Sequence, residues 1–165
     1  MGREFLVVWA GRHHRDSWEG LCSDYRQRIA SQVPVRDLPV RVPARGGREE
    51  SPEQSRERLR VEGAAILSAL PEPCYLVALD RRGAAVASDE VSRRLTRIRD
   101  EWPHPVAFVL GSDLGLSAEL IAAARWRWSF GPLTLPHELA RLVLYEQLYR
   151  ALSISAGISY HRRAL

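Results

Sequence analysis

Three short, uninterrupted apolar runs constrain the fold of this chain most strongly. They span Phe5–Ala10, Tyr75–Leu79 and Val106–Leu110, and each is closed by a glycine or an aspartate. Continuous apolar runs of this length are typical of strands that are covered on both faces, so we predict buried parallel strands. A fourth candidate strand, Val33–Val42, contains two prolines, which favour an edge strand or a partly irregular one.

Helical segments separate these runs. The first carries apolar side chains at helical spacing, namely Trp18, Leu21, Cys22, Tyr25 and Ile29. Ser51 and Ser88 precede two further helices, and Ser117 caps a fourth. The alternation predicts an α/β fold, an open and mainly parallel sheet with helices on both faces. Ligands of such sheets bind beyond the carboxyl ends of the strands, where Asp80 and Gly111 lie.

Composition adds a weaker signal. A chain of 165 residues predicts one domain. All 24 basic residues are arginine, against 20 acidic residues. Arginine grips phosphate with a planar fork and stacks on bases, which suits RNA, although a GC-rich genome produces the same bias. Arg45 and Arg48, in a segment that also holds two glycines, could reach a phosphate backbone, but basic surface loops are more often only solvated.

The cysteines and the N-terminal segment exclude several classes of protein. Cys22 and Cys74 match no metal spacing and no disulfide framework, so we expect two buried thiols in a reducing cytoplasm and no metal site. The apolar run near the N-terminus is too short for a signal peptide or a membrane span. We therefore expect a cytoplasmic protein that does not associate with membranes.

Two glycine loops lie in the last third of the chain. The segment VLGSDLGLS, residues 109–117, places Gly111 and Gly115 between a buried strand and a capped helix, where a backbone can approach a ligand closely. A plain strand-to-helix turn would use the same residues. The spacing matches neither a dinucleotide fingerprint nor a phosphate-binding P-loop, which would need a lysine. Gly131 and Pro132 form a second tight loop.

A long helix, from about Pro136 to Ile154, follows the second loop. Its apolar residues are spread too widely for one stripe: Leu139, Leu142, Val143, Leu144, Leu148, Leu152 and Ile154. A helix that is apolar on most sides is usually buried on most sides. One face can pack on the sheet and the other on a second subunit, so the pattern predicts a homodimer with the active site near its interface.

These segments together resemble a known family. The chain is similar to the bacterial large-subunit ribosomal RNA pseudouridine N3-methyltransferases, a branch of the SPOUT superfamily of trefoil-knotted methyltransferases. The resemblance spans essentially the whole chain. It rests on LTLPHELAR (residues 133–141), LYEQLYRALSI (144–154) and YHR (160–162), together with VALD (77–80) and VLGSDLGLS. It implies one domain over residues 1–165, a knot over about residues 75–165, a homodimer and S-adenosylmethionine as cofactor.

The resemblance also implies a set of site residues. The cofactor would be held mostly by backbone groups of Leu79, Gly111, Phe130, Gly131, Pro132, Leu133, Thr134 and Leu135. The reaction would methylate N3 of a pseudouridine in 23S ribosomal RNA, with an assembled ribosome as the expected substrate. His161 is the first candidate for the general base and His137 the second, and Arg162 or Arg141 could stabilise the imide anion or hold phosphate.

Other roles for these residues stay open. His137 could simply bond the exposed end of its helix, and the terminal tail could be frayed. The family resemblance implies that Tyr160 stacks on the base and that His161 and Arg162 contact RNA. Trp126 and Trp128 are either core residues or a base-stacking platform.

The chain departs from the family pattern at two places. Ser112 stands where members usually have a second glycine, and Ser159 stands where proline is frequent. We expect effects on cofactor affinity and on the order of the tail. Three alternative functions remain: a non-catalytic ribosome-binding factor of the same fold, a SPOUT methyltransferase acting on transfer RNA, and a nucleotide-binding protein of flavodoxin type.

Overall fold

A computed structural model describes residues 3–12, 17–43 and 49–160. In these residues the chain forms five strands and five helices. They are β1 (Phe5–Ala10), α1 (Ser17–Ala30), β2 (Val35–Val40), α2 (Pro52–Ala69), β3 (Tyr75–Ala85), α3 (Ser88–Glu101), β4 (Val106–Leu110), α4 (Ala118–Ala123), β5 (Trp126–Ser129) and α5 (His137–Ser155).

The strands form one sheet in the order β2-β1-β4-β3-β5, and every pairing is parallel. The predicted α/β class is therefore confirmed. The bounds of β1 and β4 agree with the apolar runs that predicted them. The strand with prolines, β2, lies at an edge of the sheet, where Pro39 is opposite Trp9 of β1.

Each face of the sheet is covered by helices. Phe5 and Val7 of β1 belong to a hydrophobic cluster shared with α1, α3 and α5. Leu6 and Val8 point to the other face and join a cluster with Ile66 of α2 and other residues of α2 and α4. Successive side chains of a strand point to opposite faces, so a strand covered on both faces must be apolar throughout. This explains the continuous apolar runs.

Side-chain caps define two of the helix starts as predicted. The Ser51 hydroxyl accepts a hydrogen bond from the Gln54 backbone N–H, and the Gln54 side chain accepts one from the Ser51 N–H, which completes a capping box. The Ser117 hydroxyl accepts from the Leu120 N–H at 3.3 Å. Ser88 is different, because it is already the first residue of α3 and its hydroxyl donates to Gln147 of α5 at 2.7 Å.

The long helix α5 packs between α1 and α3 of the same chain. The Ser92 hydroxyl of α3 donates to the Ala151 carbonyl at 2.7 Å, and the rings of Tyr25 and Tyr149 join α1 to α5. Leu144 and Leu148 are fully buried. Much of the apolar surface that was predicted to face a second subunit is therefore covered within the chain. The homodimer stays a prediction, and the apolar spread of α5 does not by itself require it.

The fifth strand was not expected from the sequence. It is four residues long and contains Trp126 and Trp128, whose rings stack with centroids 5.0 Å apart. Both side chains are buried, so they belong to the core and do not form a base-stacking platform. In the described part of the chain, no helix combines the length and apolarity needed to cross a membrane. The trefoil knot and the single domain stay predictions.

Candidate functional site

A cleft of about 550 Å³ lies at the carboxyl ends of three neighbouring strands. Leu79 at the end of the first part of β3 is opposite Leu110 of β4 and Trp128 of β5, so these three ends meet at one edge of the sheet. The loop after β4, the segment between β5 and α5, and the first turn of α5 form the walls. This is the position at which open α/β sheets bind ligands.

The loop after β4 is closed by its own backbone. Ser112 and Gly115 exchange two backbone hydrogen bonds of 3.1 and 2.9 Å, and Gly115 has a φ of 87°. A Cβ on Gly111 would lie 2.7 Å from the Gly115 carbonyl group. Gly111 is therefore required by the turn itself, whereas the sequence left open whether a ligand required it. The closed turn brings the Gly111 and Gly115 backbone to the cleft.

The segment between β5 and α5 forms one wall of the cleft. Gly131 has a φ of 106°, and a Cβ built on it would meet no atom within 4 Å. Among the described residues, the backbone of Leu133, Thr134 and Leu135 makes no backbone hydrogen bond. Leu133 and Thr134 are exposed, so their backbone groups are open to water or to a ligand. The segment can therefore bind a ligand through main-chain amides and carbonyls.

The structure brings most of the predicted cofactor residues together. The cleft is lined by Leu79, Gly111, Phe130, Gly131, Leu133, Thr134 and Leu135. Pro132 is exposed and lies in the same loop without lining the cleft. His137, the second candidate base, is the first residue of α5 and does line it.

Asp80 forms an ionised group at the rim of the cleft. One carboxylate oxygen accepts from Arg127 Nη2 at 2.7 Å, and the other accepts from the Arg82 backbone N–H at 3.2 Å. Burial alone would raise the pKa of the Asp80 carboxyl, but these hydrogen bonds and the two guanidinium charges outweigh burial and hold the pKa below its ordinary value. Asp80 is thus held as an anion that orients arginines.

Arg58 of α2 contacts the glycine loop from the other side. Its guanidinium donates to both carboxylate oxygens of Asp113, at 2.9 and 3.1 Å, and also contacts Glu50 at 3.1 Å and Glu62 at 3.3 Å. The hydrogen bonds to Asp113 are the main reason why the pKa of Arg58 is raised. Sequence analysis missed this residue, because its partner in the loop is 55 positions away.

The structure places Arg141 inside the protein. Only 5% of its side chain is exposed. The guanidinium binds Glu19, lies 3.3 Å from an oxygen of Asp37 and packs over the Trp9 ring at 4.6 Å. A side chain held in this way does not reach RNA, so the RNA-binding and anion-stabilising roles considered for Arg141 are corrected to a structural one.

Tyr160 is anchored on the middle of α5. Its hydroxyl lies 3.0 Å from the Tyr25 hydroxyl and donates to Glu146 at 3.2 Å, and its ring packs on Tyr149 and Arg150. Glu146 is about 13 Å along the helix axis from the first residue of α5, at about 1.5 Å per residue. The structure therefore does not bring Tyr160 to the cleft of its own chain. His161, Arg162, Arg45 and Arg48 lie outside the described residues.

A second depression, of about 690 Å³, lies between α3 and the end of α5. It is more open and is lined by charged side chains, including Arg93, Arg97 and Asp100. It contains no strand end and no glycine loop, so the cleft at the strand ends is the better candidate for a cofactor. Within residues 3–12, 17–43 and 49–160, no group of three His, Cys, Asp or Glu side chains could hold a metal ion.

The parallel sheet and the cleft at its strand ends define a ligand-binding α/β protein. The model of the family described as "Predicted SPOUT methyltransferase" matches residues 4–161, and the chain belongs to this family. A ribosomal RNA large subunit methyltransferase H of Rubrobacter xylanophilus is 42% identical over 98% of this chain and 99% of its own length. A protein of the same name from Stenotrophomonas maltophilia is 38% identical over 85% of this chain and 86% of its own length.

Two solved structures share the fold. One is described as a probable methylase family protein from Haemophilus influenzae, with a TM-score of 0.53, 11% identity, and coverage of 98% of this chain and 71% of that chain. The other is a probable methyltransferase from Bordetella pertussis, with a TM-score of 0.50, 16% identity, and coverage of 90% and 96%. The family that the sequence motifs indicated is confirmed by the family model and by the two relatives of 42% and 38% identity.

Proposed function

We propose that this protein uses S-adenosylmethionine to methylate N3 of a pseudouridine in large-subunit ribosomal RNA. The observation that carries the proposal is the cleft at the strand ends, whose walls are two glycine loops in a chain of the SPOUT methyltransferase family. The names of its 42% and 38% identical relatives support a ribosomal RNA substrate. Such a substrate would place the reaction in the cytoplasm, on a ribosome or its large subunit.

The residues of the cleft fit this cofactor. A volume of about 550 Å³ lies within the range of small-molecule sites, roughly 300–1,000 Å³. Leu79, Leu110 and Phe130 would supply apolar surface for the cofactor, and the backbone of residues 133–135 would be available for hydrogen bonds to its polar groups. When bound, S-adenosylmethionine supplies a methyl group already activated by a sulfonium. The protein therefore acts mainly by aligning the target base with the cleft.

The target nitrogen must also lose a proton. The N3 imide of a pseudouridine is protonated near neutral pH, so a base or a positive charge beside the cleft would accelerate the reaction. His137 lines the cleft at the start of α5, and imidazole is the side chain best suited to accept a proton near neutral pH. We therefore propose His137 as the base within the described residues. His161 and Arg162 remain candidates from the family motif.

A homodimer completes the proposal. Trp18 and Leu21 of α1 are 37% and 46% exposed, and Leu133 at the cleft is 75% exposed. Burying such side chains against a second copy would remove apolar surface from water. Tyr160 lies far from the cleft of its own chain, so a second copy could supply the terminal residues that follow it. We propose that each site takes its tail from the partner subunit.

The proposal is tested by mass spectrometry of large-subunit ribosomal RNA from cells with and without the gene. We expect one N3-methylated pseudouridine to be present with the gene, absent without it, and restored by the wild-type gene. Restoration should fail with the His137→Ala variant. A methylated pseudouridine that persists in the deletion strain would refute the assignment, and loss of a methyl group from transfer RNA instead would transfer the activity to that substrate.

Calorimetry separates the enzyme from a non-catalytic ribosome-binding factor. We expect the purified protein to bind S-adenosylmethionine with one site per chain. The absence of measurable heat at millimolar cofactor would contradict the methyltransferase proposal, whatever the protein does on the ribosome.

A further inference from the structure

A four-residue bulge projects from β3 beside the cleft. Leu79 is opposite Trp128 of β5, and the pairing resumes with Ala84 opposite the same Trp128. Residues 80–83 are therefore extra residues that the partner strand does not match. Bulges of this kind redirect side chains and are common beside functional sites.

The bulge is held firmly by β5. Asp80 binds Arg127 Nη2 at 2.7 Å, and the Ser129 hydroxyl donates to the Arg81 carbonyl at 3.1 Å. Gly83 packs so tightly that a Cβ there would lie 2.5 Å from the Arg127 carbonyl oxygen. Three contacts along its length thus fix the backbone of the bulge, although the bulge carries two large exposed side chains.

Those side chains are the arginines at its tip. Both Arg81 and Arg82 are exposed and both contribute to the rim of the cleft. Arg82 is 73% exposed, and its Nε is 3.6 Å from Asp80, whose other oxygen is bound by Arg127 at 2.7 Å. Arg81 makes no ion pair with any residue in the described part of the chain.

The neighbouring edge of the sheet adds positive charge. Arg127 lies on β5, the last strand in the sheet order, and is 40% exposed. At this corner of the cleft, the described arginines 81, 82 and 127 lie near one carboxylate, Asp80. The lowered pKa of Asp80 keeps it ionised at neutral pH, and the three guanidinium charges still outnumber its single negative charge.

We propose that Arg81 and Arg82 form a clamp for the phosphodiester backbone of the RNA, next to the nucleotide whose base enters the cleft. The clamp rests on the proposed function. Two adjacent guanidinium forks match phosphate oxygens, and the fixed backbone of the bulge removes the cost of ordering a loop, so that only the two side chains have to be ordered. A base that enters a cleft leaves its phosphates at the mouth, where these arginines are. Contacts to phosphate fix register and carry no sequence information, so the clamp positions the substrate.

The clamp is tested by the salt dependence of RNA binding. The probe is a fluorescent 20-nucleotide single-stranded RNA, and its affinity is measured by anisotropy from low to moderate salt. Each lost phosphate contact on a single strand lowers the slope of log K against log salt by about 0.7. For the double variant Arg81→Gln/Arg82→Gln we expect a slope smaller by about 1.4, weaker binding at low salt, and an unchanged melting temperature.

The matched control removes two arginines of α2 that do not line the cleft. Arg56 and Arg60 are exposed, and the Arg60 guanidinium pairs with Glu57 of the same helix. The variant Arg56→Gln/Arg60→Gln loses the same charge, and we expect its slope to stay at the wild-type value. Equal slopes for the two double variants, or a wild-type protein that does not bind the RNA, would overturn the clamp.

A measurement of cofactor binding distinguishes the two anions that the arginines could bind, the RNA phosphate and the cofactor carboxylate. The carboxylate of S-adenosylmethionine could also attract an arginine, so its affinity is measured by calorimetry on the same variants. We expect no change in the double variant of the bulge. Weaker binding of S-adenosylmethionine, together with an unchanged salt slope of RNA binding, would overturn the clamp and show that the arginines bind the cofactor. Absence of the N3-methylated pseudouridine from cells that carry the wild-type gene would refute the proposed function. The comparison of salt slopes would remain valid.

Discussion

At the scale of single residues, two arginines join parts of the chain that are far apart in the sequence. Arg58 of α2 binds Asp113 of the glycine loop, and Arg141 of α5 binds Glu19 and Asp37. Both are mostly buried, but Arg141 is the deeper and packs over Trp9. We infer that Arg58 positions the loop at the cleft and that Arg141 stabilises the fold.

Replacing Arg58 with methionine should weaken cofactor binding. The two hydrogen bonds of 2.9 and 3.1 Å to Asp113 would be lost, and the glycine loop would be less firmly held. We expect the Kd for S-adenosylmethionine to rise about 5- to 30-fold, roughly 1–2 kcal/mol, by calorimetry. The control Arg60→Met removes an exposed arginine of the same helix. An Arg58 variant with wild-type affinity would show that the contact only supports the fold.

Replacing Arg141 with methionine should destabilise the fold. The change removes the hydrogen bonds to Glu19 and Asp37, places an apolar side chain beside them and leaves Arg26 as the cation that both acids still bind. We expect a loss of about 1.5–3 kcal/mol in the free energy of unfolding, measured with urea. The control Arg36→Met breaks an exposed pair with Glu4 and should cost about 0–1 kcal/mol. Equal losses in both variants would contradict the structural role of Arg141.

The same residues show what sequence could predict about the site. The loop residues from Phe130 to Leu135 are consecutive, so a short motif is enough to indicate them. Arg58 is not part of any motif, because its role depends on how α2 lies against the loop after β4. Arg141 is in a motif, but the motif does not tell whether its side chain points to solvent or to Glu19.

At the scale of elements, the packing of α2 on α4 depends on one glycine. A Cβ on Gly63 would lie 2.2 Å from the Ser117 hydroxyl oxygen and 2.7 Å from the Ser117 Cβ. Ser117 caps α4 and cannot move without losing its bond to Leu120. We therefore expect Gly63→Ala to lower the free energy of unfolding by about 1–3 kcal/mol.

Gly20 of α1 provides the opposite case. It is exposed, and a Cβ there would meet no atom within 4 Å. Gly20→Ala should raise the free energy of unfolding by about 0.5–1 kcal/mol, because alanine favours the helix and restricts the unfolded chain. Denaturant titration of both variants checks the pair. A Gly63 variant as stable as the wild type would mean that α2 and α4 separate at little cost.

Elements were predictable where one local signal dominated. Strands β1 and β4 are apolar runs that are each followed by a glycine, and both were predicted with the observed bounds. Strand β5 was missed because four residues that alternate Trp, Arg, Trp and Ser give too short a pattern. The extension of β3 to Ala85 was missed because the bulge at residues 80–83 interrupts its apolar pattern.

At the scale of the whole molecule, the sequence predicted a parallel sheet but not its strand order. The order β2-β1-β4-β3-β5 depends on which crossovers pack together, and no run of residues encodes that locally. The placement of α5 between α1 and α3 could not be read from a local pattern either. Because α5 is covered within the chain, the proposed second subunit is supported by exposed side chains of α1 and of the cleft.

The predicted dimer can be tested through α1. Leu21 is 46% exposed beside Trp18, and a glutamate at this position would place a charge in an apolar interface. We expect the wild-type protein to sediment as a dimer at about 10 μM and Leu21→Glu to sediment as a monomer. Burying an unpaired charge costs several kcal/mol, which is enough to dissociate a subunit interface at this concentration.

The matched control places the same charge on the other side of the sheet. Ala64 of α2 is exposed, so Ala64→Glu should leave the protein dimeric. If each cleft takes its tail from the partner, the Leu21→Glu monomer should lose methyl transfer to RNA by more than tenfold. It should still bind S-adenosylmethionine, because residues of one chain line the cleft. A monomeric Leu21→Glu protein with full activity would show that one chain contains the complete site.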